Sequence, residues 1–367
     1  MVSVATGAEL YKILSTPALL AYVPVAAHLN LFNVVAESDK PVSGQDVLTA
    51  YKNGLPDGGD SVVPGLPLIR DTLLAMAGLG FVNGLEEDLY TANDLTHHLA
   101  ASPGSIHGAI HHTTEMLLAA PFLVRKLKAE NFAYPFRDRE TPFQFAYKMM
   151  GNEDYAKKDL YAIMAAEGRM DSFNTFMGEK FTKAQKAHDR LRTLGYDLNA
   201  ALKDGPSTAI KMVDIGGGRG HLLLELKDAF PQLQTEDLIV EEFNDDLGDI
   251  SEVKFVRWNY KDQSTPQPIK GALIYHLSHV LHNLPDLEAT RLLQRIREAM
   301  APHSRLLVHE LTRNVQSAGM HAFMMLVFGG RERVSSEWHQ MAALAGLQVT
   351  FEAYPDFGPG LIEFRTT

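Results

Sequence analysis

The C-terminal part of the chain, from about residue 205, alternates strand-like and helical segments. The runs AIKMVDIGGG, DLIVEEF, GALIYHL and SRLLVHELT are rich in Val, Ile and Leu, whereas HLLLELKDAF and DLEATRLLQRIREAM have the apolar spacing of amphipathic helices. Alternation of this kind predicts an α/β domain with an open parallel sheet and helices on both faces. In such a sheet, ligands bind outside the carboxyl ends of the strands.

The preceding 204 residues are predominantly helical in pattern. Residues 66–82 predict a helix that ends at Gly78 and Gly80, and the following FVNGLEEDLYTAND predicts two short strands around a turn. Helices followed by such a hairpin are typical of a winged-helix module. Because acidic residues surround this hairpin, we favour a role in protein contact over DNA binding. Residues 104–200 are rich in Met and Phe, which suit both core packing and the wall of an apolar ligand pocket.

Composition excludes several functional classes. The net charge of −11 argues against non-specific binding to nucleic acid. The absence of cysteine excludes disulfides, thiolate metal sites and a cysteine nucleophile, and it agrees with a cytoplasmic location. The uncharged residues 13–36 are long enough for a bilayer, but they contain five residues that are costly in lipid: Pro17, Pro24, His28, Asn30 and Asn33. We therefore predict a buried helix there and no membrane span.

The glycine-rich run VDIGGGRGH, residues 213–221, is the strongest local motif. It does not fit the nicotinamide fingerprint G-x-G-x-x-G, because the sixth position counted from Gly216 is His221. It does fit D-x-G-x-G-x-G, with Asp214 before the turn and Gly218 within it. Glu242 ends the next predicted strand, where a carboxylate can accept the ribose hydroxyls of a nucleoside. The combination favours S-adenosylmethionine, a cationic, amino-acid-bearing nucleoside.

The run IYHLSHVLHNLPD, residues 274–286, places His276, His279 and His282 at intervals of three. In a helix, all three would share one face and could bind a metal. Pro285 and the order of the elements favour a strand that ends near residue 279, in which His276 and His279 point to opposite faces. We therefore predict no metal, with His276 and His279 as core or helix contacts. His282 lies beyond the strand, at the ligand-binding edge, and a neutral imidazole suits the removal of a phenol or enol proton.

Four segments carry a resemblance to a known family: VDIGGGRGHLLLELKDAFP, VLHNLPD, GGRERVSSEW and TPFQFAY. They resemble the small-molecule O-methyltransferases of plant and fungal secondary metabolism, over essentially the whole chain. The resemblance implies a winged-helix-like dimerisation domain (residues 1–103), a helical substrate-pocket region (104–204) and a class I methyltransferase Rossmann-like domain with a mostly parallel seven-stranded sheet (205–367). It also implies S-adenosyl-L-methionine as cofactor, a homodimer, and a small-molecule substrate of polyketide or polyketide–peptide type.

The resemblance assigns roles to individual residues. It makes His282 the general base and Glu310 and Glu332 the acids that orient it, for direct displacement of the sulfonium methyl group by a substrate oxygen. The cofactor-binding candidates are Asp214, Gly216, Gly218, Glu242, Asn259, Tyr260 and Ser278. The substrate-pocket candidates are His111, His112, Thr175 and Met324. His107 and His111 have the i, i+4 spacing of a metal-binding pair, but the sequence indicates no third ligand.

The chain departs from the family pattern near the cofactor. Asn283 and Leu284 replace an Asp-Trp pair, Asn259 replaces an aspartate, Ser278 replaces a basic residue, and NDDLGDISEV is shorter than usual, without room for the customary helix. These changes keep a second function open, that of the methyltransferase-like pericyclases such as the leporin-forming enzyme, which retain the cofactor without methyl transfer. Retention of His282 favours methyl transfer. A non-catalytic regulator that binds the cofactor is disfavoured, because it would not need the His282–Glu310–Glu332 set.

Overall fold

The computed structural model describes residues 4–55, 62–182, 186–243, 252–356 and 358–367. The chain forms two compact units, one made of Met1–Pro121 with Met164–Phe181 and the other of Phe122–Ile163 with Thr182–Thr367. The helical region predicted over residues 104–204 contributes to both units. The three-part division by role, with boundaries after residues 103 and 204, stays a prediction.

The first unit is mainly helical and includes a small sheet. Its elements up to residue 119 are α1 (Val4–Leu20), α2 (Val23–His28), α3 (Leu31–Ala36), β1 (Val42–Ser43), α4 (Gly44–Asn53), α5 (Leu66–Gly78), β2 (Asn83–Gly84), β3 (Leu89–Thr91), α6 (Asp94–Ala101) and α7 (Pro103–Ala119). The predicted hairpin is formed by β2 and β3, and β1 adds a third antiparallel strand in the order β1-β3-β2. Strand β1 was not predicted, because two residues are too few to show a period.

The prediction of one buried helix across residues 13–36 is wrong. The chain divides there into α1, α2 and α3, because Pro24 favours a new helix start and Asn30 adopts a left-handed conformation with φ 52°. Helix α1 is also largely exposed: the side chains of Ile13 and Leu14 retain 68% and 69% of their accessible surface. Within the described ranges, no helix is long and apolar enough to cross a membrane.

Short helices connect this part of the chain to the large sheet. They are α8 (Leu123–Ala129), α9 (Pro142–Met149), α10 (Leu160–Ala166), α11 (Met170–Thr182), α12 (Ala187–Thr193) and α13 (Leu198–Ala201). Most of α11 belongs to the first unit.

The second unit contains the predicted α/β sheet. Its elements are β4 (Met212–Ile215), α14 (His221–Ala229), β5 (Leu238–Glu242), β6 (Lys254–Arg257), β7 (Ile274–Ser278), α15 (Asp286–Ala299), β8 (Arg305–Leu311), α16 (Ala318–Val327), α17 (Ser335–Ala345), β9 (Leu347–Ala353) and β10 (Pro359–Thr366). The strand order is β6-β5-β4-β7-β8-β10-β9, with β4 to β8 parallel and β10 antiparallel to β8 and β9. The prediction of a mostly parallel seven-stranded sheet is confirmed.

The direction of the strand order changes between β4 and β7. From β4 the chain proceeds outward through β5 and β6, and then returns to the other side of β4 with β7 and β8. The carboxyl ends of β4 and β7 therefore flank the crevice in which open α/β sheets bind ligands. Strand β7 ends at Ser278, close to the predicted end at residue 279. The shortened segment NDDLGDISEV falls mainly on residues 244–251, outside the described residues.

Two buried clusters cover the faces of the sheet. One contains Leu293 and Ile296 of α15 with Trp338 of α17, and the other contains Leu223 and Leu226 of α14. All five side chains are almost fully buried. Packing on both faces holds the strand ends in fixed positions, as a site at their edge requires.

Replacement of Leu293 by Ala should lower the free energy of unfolding of this unit by about 2–5 kcal/mol, because a fully buried side chain is removed. Leu287→Ala is the matched control on the same helix, since Leu287 is 58% exposed and its loss should change stability by less than about 0.5 kcal/mol. Both tryptophans, Trp258 and Trp338, lie in this unit, so tryptophan fluorescence during urea denaturation reports on it. Equal effects of the two substitutions would contradict the assigned packing.

Candidate active site

The glycine turn follows β4 at the carboxyl edge of the sheet. Gly218 has φ +55°, and a side chain there would meet no atom within 4 Å, so the turn is left-handed and open on that side. The backbone N–H of Gly218 donates to Oε2 of Glu242 over 3.2 Å, and the N–H of Gly216 donates to the carbonyl of Glu241 over 2.7 Å. The end of β5 is thereby tied to the turn, and the carboxylate of Glu242 lies beside it.

Asp214 lies beneath the turn rather than on its open side. Its side chain is buried, and its Oδ1 accepts a hydrogen bond of 2.7 Å from Nδ1 of His276 on the neighbouring strand β7. His276 is therefore a buried strand residue, as predicted, and its ring is held by an acid. Direct contact of Asp214 with a cofactor stays a prediction.

The remaining cofactor-side candidates lie around the same edge. A side chain added at Gly216 would come within 3.6 Å of the ring of Tyr260. Burial, with smaller effects from Tyr161 and Glu242, raises the pKa of the Tyr260 hydroxyl well above its ordinary value. Asn259 accepts the N–H of Lys261 over 3.0 Å, which caps its own loop.

Ser278 ends β7, one residue after the Leu277–Ile215 pair of the β4–β7 ladder. Its Oγ lies 3.1 Å from Nδ1 of His279. His279 follows directly, with φ 54°, so the chain turns sharply where the strand ends. His279 was predicted as a core or helix contact. Beyond this turn it is half-buried rather than in the core, and its ring centroid lies 5.3 Å from that of His282.

His282, Glu310 and Glu332 meet at the end of this turn. Nδ1 of His282 lies 2.8 Å from Oε1 of Glu332 and 3.7 Å from Oε2 of Glu310. All three side chains are buried, and Oε2 of each acid has no hydrogen-bond partner among the described residues. Two carboxylates thus converge on one ring nitrogen in a medium of low polarity.

Glu310 has a second role that the sequence did not indicate. Its Oε1 accepts the backbone N–H groups of Leu281 (2.8 Å) and His282 (3.3 Å), which belong to the 3₁₀ turn Leu281–Asn283. Because Glu310 sits on β8, it fixes the histidine backbone to the sheet. Burial raises the pKa of the Glu310 carboxyl, and the neighbouring His282 opposes that rise.

A buried arginine holds the same turn from the other side. Arg333 is 0% exposed; it donates to the carbonyls of Leu281 (2.9 Å) and Leu284 (2.8 Å) and pairs with Asp286 (2.9 Å). Gly330 packs against the turn so closely that a side chain there would come within 2.1 Å of the His282 carbonyl. None of these three residues, Arg333, Asp286 and Gly330, was predicted to belong to the site, although two of them lie in the motif GGRER.

His282, Glu310 and Glu332 are also the one trio in the described part of the chain whose ligand atoms lie close enough to hold a metal ion. The prediction that no metal binds here is left untested by this geometry. The i, i+4 pair His107 and His111 is engaged differently, since both rings hydrogen-bond to Ser172.

The substrate-pocket candidates belong to different units. Met324 is buried on α16 of the second unit. The first unit contains buried His111, half-buried His112 and half-buried Thr175, whose hydroxyl donates to the carbonyl of Asp171 over 2.8 Å. Their role in substrate binding stays a prediction.

Residues 174–348 match the O-methyltransferase domain family. The chain is 47% identical to the O-methyltransferase bfoE of Aspergillus brasiliensis, over 96% of this chain and 95% of that protein. It is 44% identical to the O-methyltransferase aunE of Aspergillus niger, with the same coverage.

The chain belongs to the O-methyltransferase family. Among solved structures, LepI in complex with SAM is similar with a TM-score of 0.78 at 21% identity, over 98% of this chain and 89% of LepI. OxaC is similar with a TM-score of 0.80 at 17% identity, over 100% of this chain and 88% of OxaC. At these identities the likeness shows the class I methyltransferase fold alone.

Two departures from the O-methyltransferase pattern have structural partners. Asn283 donates to the carbonyl of His279 over 3.0 Å and lies 3.4 Å from the hydroxyl of Tyr161. Leu284 is buried in the cluster beneath the sheet edge. Asn283 is therefore hydrogen-bonded to the start of the histidine turn, and Leu284 packs in the core.

Replacement of Asp286 by Asn should destabilise the second unit at pH 7, and the difference from the parent protein should shrink in acid. Burial acts to raise the pKa of Asp286, but Arg331 and Arg333 outweigh it, so the pKa is lowered on folding. A carboxyl group whose pKa is lower in the folded protein stabilises the fold at pH values above its unfolded pKa of about 3.9. This stabilisation is lost as the pH falls through the pKa of the folded protein. Urea denaturation followed by tryptophan fluorescence between pH 7 and pH 3 measures the effect.

Asp228→Asn serves as the control for this experiment. Asp228 is an exposed residue of the same unit, without an ion pair among the described residues, so its substitution should leave the pH profile unchanged. A constant difference for Asp286→Asn across the pH range would contradict the role of the Asp286 charge.

Proposed function

We propose that this enzyme methylates a phenolic or enolic hydroxyl of a secondary metabolite, with S-adenosyl-L-methionine as methyl donor and His282 as general base. The observation that carries the proposal is the buried 2.8 Å contact between Nδ1 of His282 and Glu332, with Glu310 on the same side of the ring. Polyketide or polyketide–peptide substrates are the proposed class. A cytoplasmic location stays a prediction.

The two acids determine which nitrogen acts. A proton on Nδ1 is stabilised by the Glu332 carboxylate, so the lone pair of the neutral ring is on Nε2. When Nε2 takes a substrate proton, the positive charge of the ring is balanced by two buried carboxylates. The ring therefore suits removal of a hydroxyl proton at neutral pH, and the Glu310 and Arg333 contacts fix its backbone during the step.

The edge of the sheet has the features that a cationic nucleoside requires. Gly218 leaves open space against the backbone, and Glu242 places a carboxylate next to it. Asp214, Gly216, Tyr260, Asn259 and Ser278 complete the set that would hold the cofactor. When bound, the cofactor supplies a methyl group already activated by the sulfonium charge.

Methyl transfer is favoured over the pericyclase alternative. The relatives at 44% and 47% identity are named O-methyltransferases, whereas the likeness to LepI, at 21% identity, shows the fold alone. An ordered acid–histidine–acid arrangement is also what proton removal needs. A conversion of substrate without a gain in mass would support the alternative.

Replacement of His282 by Ala should lower kcat by roughly 10²–10⁴-fold, because the proton acceptor is lost. The measurement uses methyl-labelled cofactor with a panel of phenols and enols and quantifies S-adenosylhomocysteine and labelled product. Glu332→Gln retains an acceptor for Nδ1–H but removes the charge, so its loss should be smaller.

His339→Ala is the control, since His339 is 53% exposed in side-chain surface and lies on α17, and it should retain full activity. Near-normal turnover by His282→Ala would exclude the proposed base. Consumption of a substrate by the parent protein, with unchanged cofactor, would exclude methyl transfer.

We propose in addition that the enzyme is a homodimer that covers the exposed apolar side of α1. Leu10, Tyr11, Ile13 and Leu14 are all more than half exposed, an unusual cluster for a free surface. Ile13→Glu with Leu14→Glu should convert a dimer into a monomer in light scattering after size-exclusion chromatography, while Val315→Glu, also exposed, should not. A monomeric parent protein would contradict the proposal.

A further inference from the structure

The first unit contains a cavity that is separate in its lining residues from the His282 site of the second unit. Its volume is about 430 Å³, within the range typical of small-molecule sites, and every residue that lines it belongs to this unit. Most of the wall is apolar, with side chains from α2, α3, α6 and α7: Pro24, Phe32, Leu99, Ile106 and Ile110. Such a wall suits a largely apolar molecule.

His107 is a polar residue of the cavity wall, and Ser172 positions its ring. His28 and Asn30 also line it, but His28 bonds to Tyr51 (3.1 Å) and Asn30 bonds to Asn33. Nδ1 of His107 lies 2.8 Å from Oγ of Ser172, and its Nε2 has no hydrogen-bond partner within the described part of the unit.

Behind His107, a chain of polar side chains leads to a buried carboxylate. Oγ of Ser172 lies 3.2 Å from Nε2 of His111, and Nδ1 of His111 lies 3.7 Å from Oε2 of Glu115. His111 and Glu115 are 5% and 2% exposed. Arg169 donates to the other oxygen of Glu115 over 2.5 Å, so a guanidinium lies against the buried carboxyl group.

The Glu115 carboxylate determines which atom is the donor in each hydrogen bond between it and His107. Nδ1 of His111 and Oε2 of Glu115 lie 3.7 Å apart, and neither has a hydrogen-bond partner among the described residues. At this distance the carboxylate attracts a proton on Nδ1, whereas it would repel a lone pair there. Nε2 of His111 then accepts the hydroxyl proton of Ser172, and the Ser172 oxygen accepts Nδ1–H of His107. The lone pair of His107 is therefore left on Nε2.

We propose that this cavity is a second binding site, for a small aromatic or polyunsaturated molecule with a phenolic or enolic hydroxyl, and that Nε2 of His107 accepts the hydrogen bond of that hydroxyl. Ser172, His111 and Glu115 act as positioning residues that fix the acceptor tautomer of His107. An apolar molecule without a donor group fills the same walls but leaves His107 unpaired.

The test is an NMR titration of the full-length protein labelled with ¹⁵N-histidine. The two probes, 2-naphthol and 2-methoxynaphthalene, share the same ring system, but only 2-naphthol has a hydroxyl group. The His107 resonances, assigned by their loss in His107→Phe, should show the Nδ1–H tautomer in the free protein. 2-Naphthol should shift the Nε2 resonance of His107, and 2-methoxynaphthalene should not. His282 resonances report separately on the methyl-transfer site, so failure of one proposal is distinguishable from failure of the other.

Two serine variants separate positioning from general destabilisation. Ser172→Ala should abolish the tautomer preference of His107 and weaken 2-naphthol binding at that resonance by roughly fivefold to tenfold, the effect of one hydrogen bond. Ser105→Ala is the matched control, because Ser105 bonds to His98 (2.9 Å) in the same unit but does not line the cavity. It should leave both the tautomer and the binding unchanged.

Three results would overturn the proposal. The first is an Nε2–H tautomer of His107 in the free protein. The second is an equal shift of His107 by both probes, which would indicate apolar filling alone. The third is a 2-naphthol effect confined to His282.

Discussion

The carboxylate of Glu310 is the interaction on which the geometry of the site depends. It lies on a buried strand, accepts two backbone N–H groups of the 3₁₀ turn with one oxygen, and presents the other to the imidazole of His282. A buried carboxylate is stable only when its oxygens are paired with donors or with positive charge. The histidine turn supplies two donors to Oε1, so one residue of the sheet sets the position of the turn.

Arg333 completes this arrangement from the opposite side. It is buried without exposure, which is tolerable because two carbonyls and Asp286 surround its guanidinium. The carbonyls are those of Leu281 and Leu284, which flank His282 and Asn283. Glu310 therefore binds the N–H groups of the turn, and Arg333 binds its carbonyls. These contacts fix the backbone of His282.

The fold was predictable from the sequence to a large extent, and the site in part. Alternation of buried strands with amphipathic helices is a strong signal, and the seven-stranded sheet follows it. The prediction was wrong at residues 13–36. The uncharged composition suggested one helix, but the chain forms separate helices there because of Pro24 and Asn30. His282, Glu310 and Glu332 were predicted from the family resemblance, and the structure brings them together, although no observation yet tests their roles. The need for glycine at position 330 could not be predicted from the sequence, because it arises from the close approach of the His282 carbonyl, which leaves no room for a side chain.

By itself, the sequence determined the class of the fold, the glycine turn at the first strand end and the candidate histidine beyond the fourth strand of the sheet, because these features depend on local periodicity and on short motifs. Only the tertiary structure decided which acid faces which nitrogen. It showed that Asp214 pairs with His276, that Glu115 stands behind His111 and Ser172, and that Arg333 supports the His282 turn. Except for the i, i+4 pair His111–Glu115, these pairings join residues that are far apart in the chain, and their partners are chosen by the packing of separate elements, which local sequence does not encode.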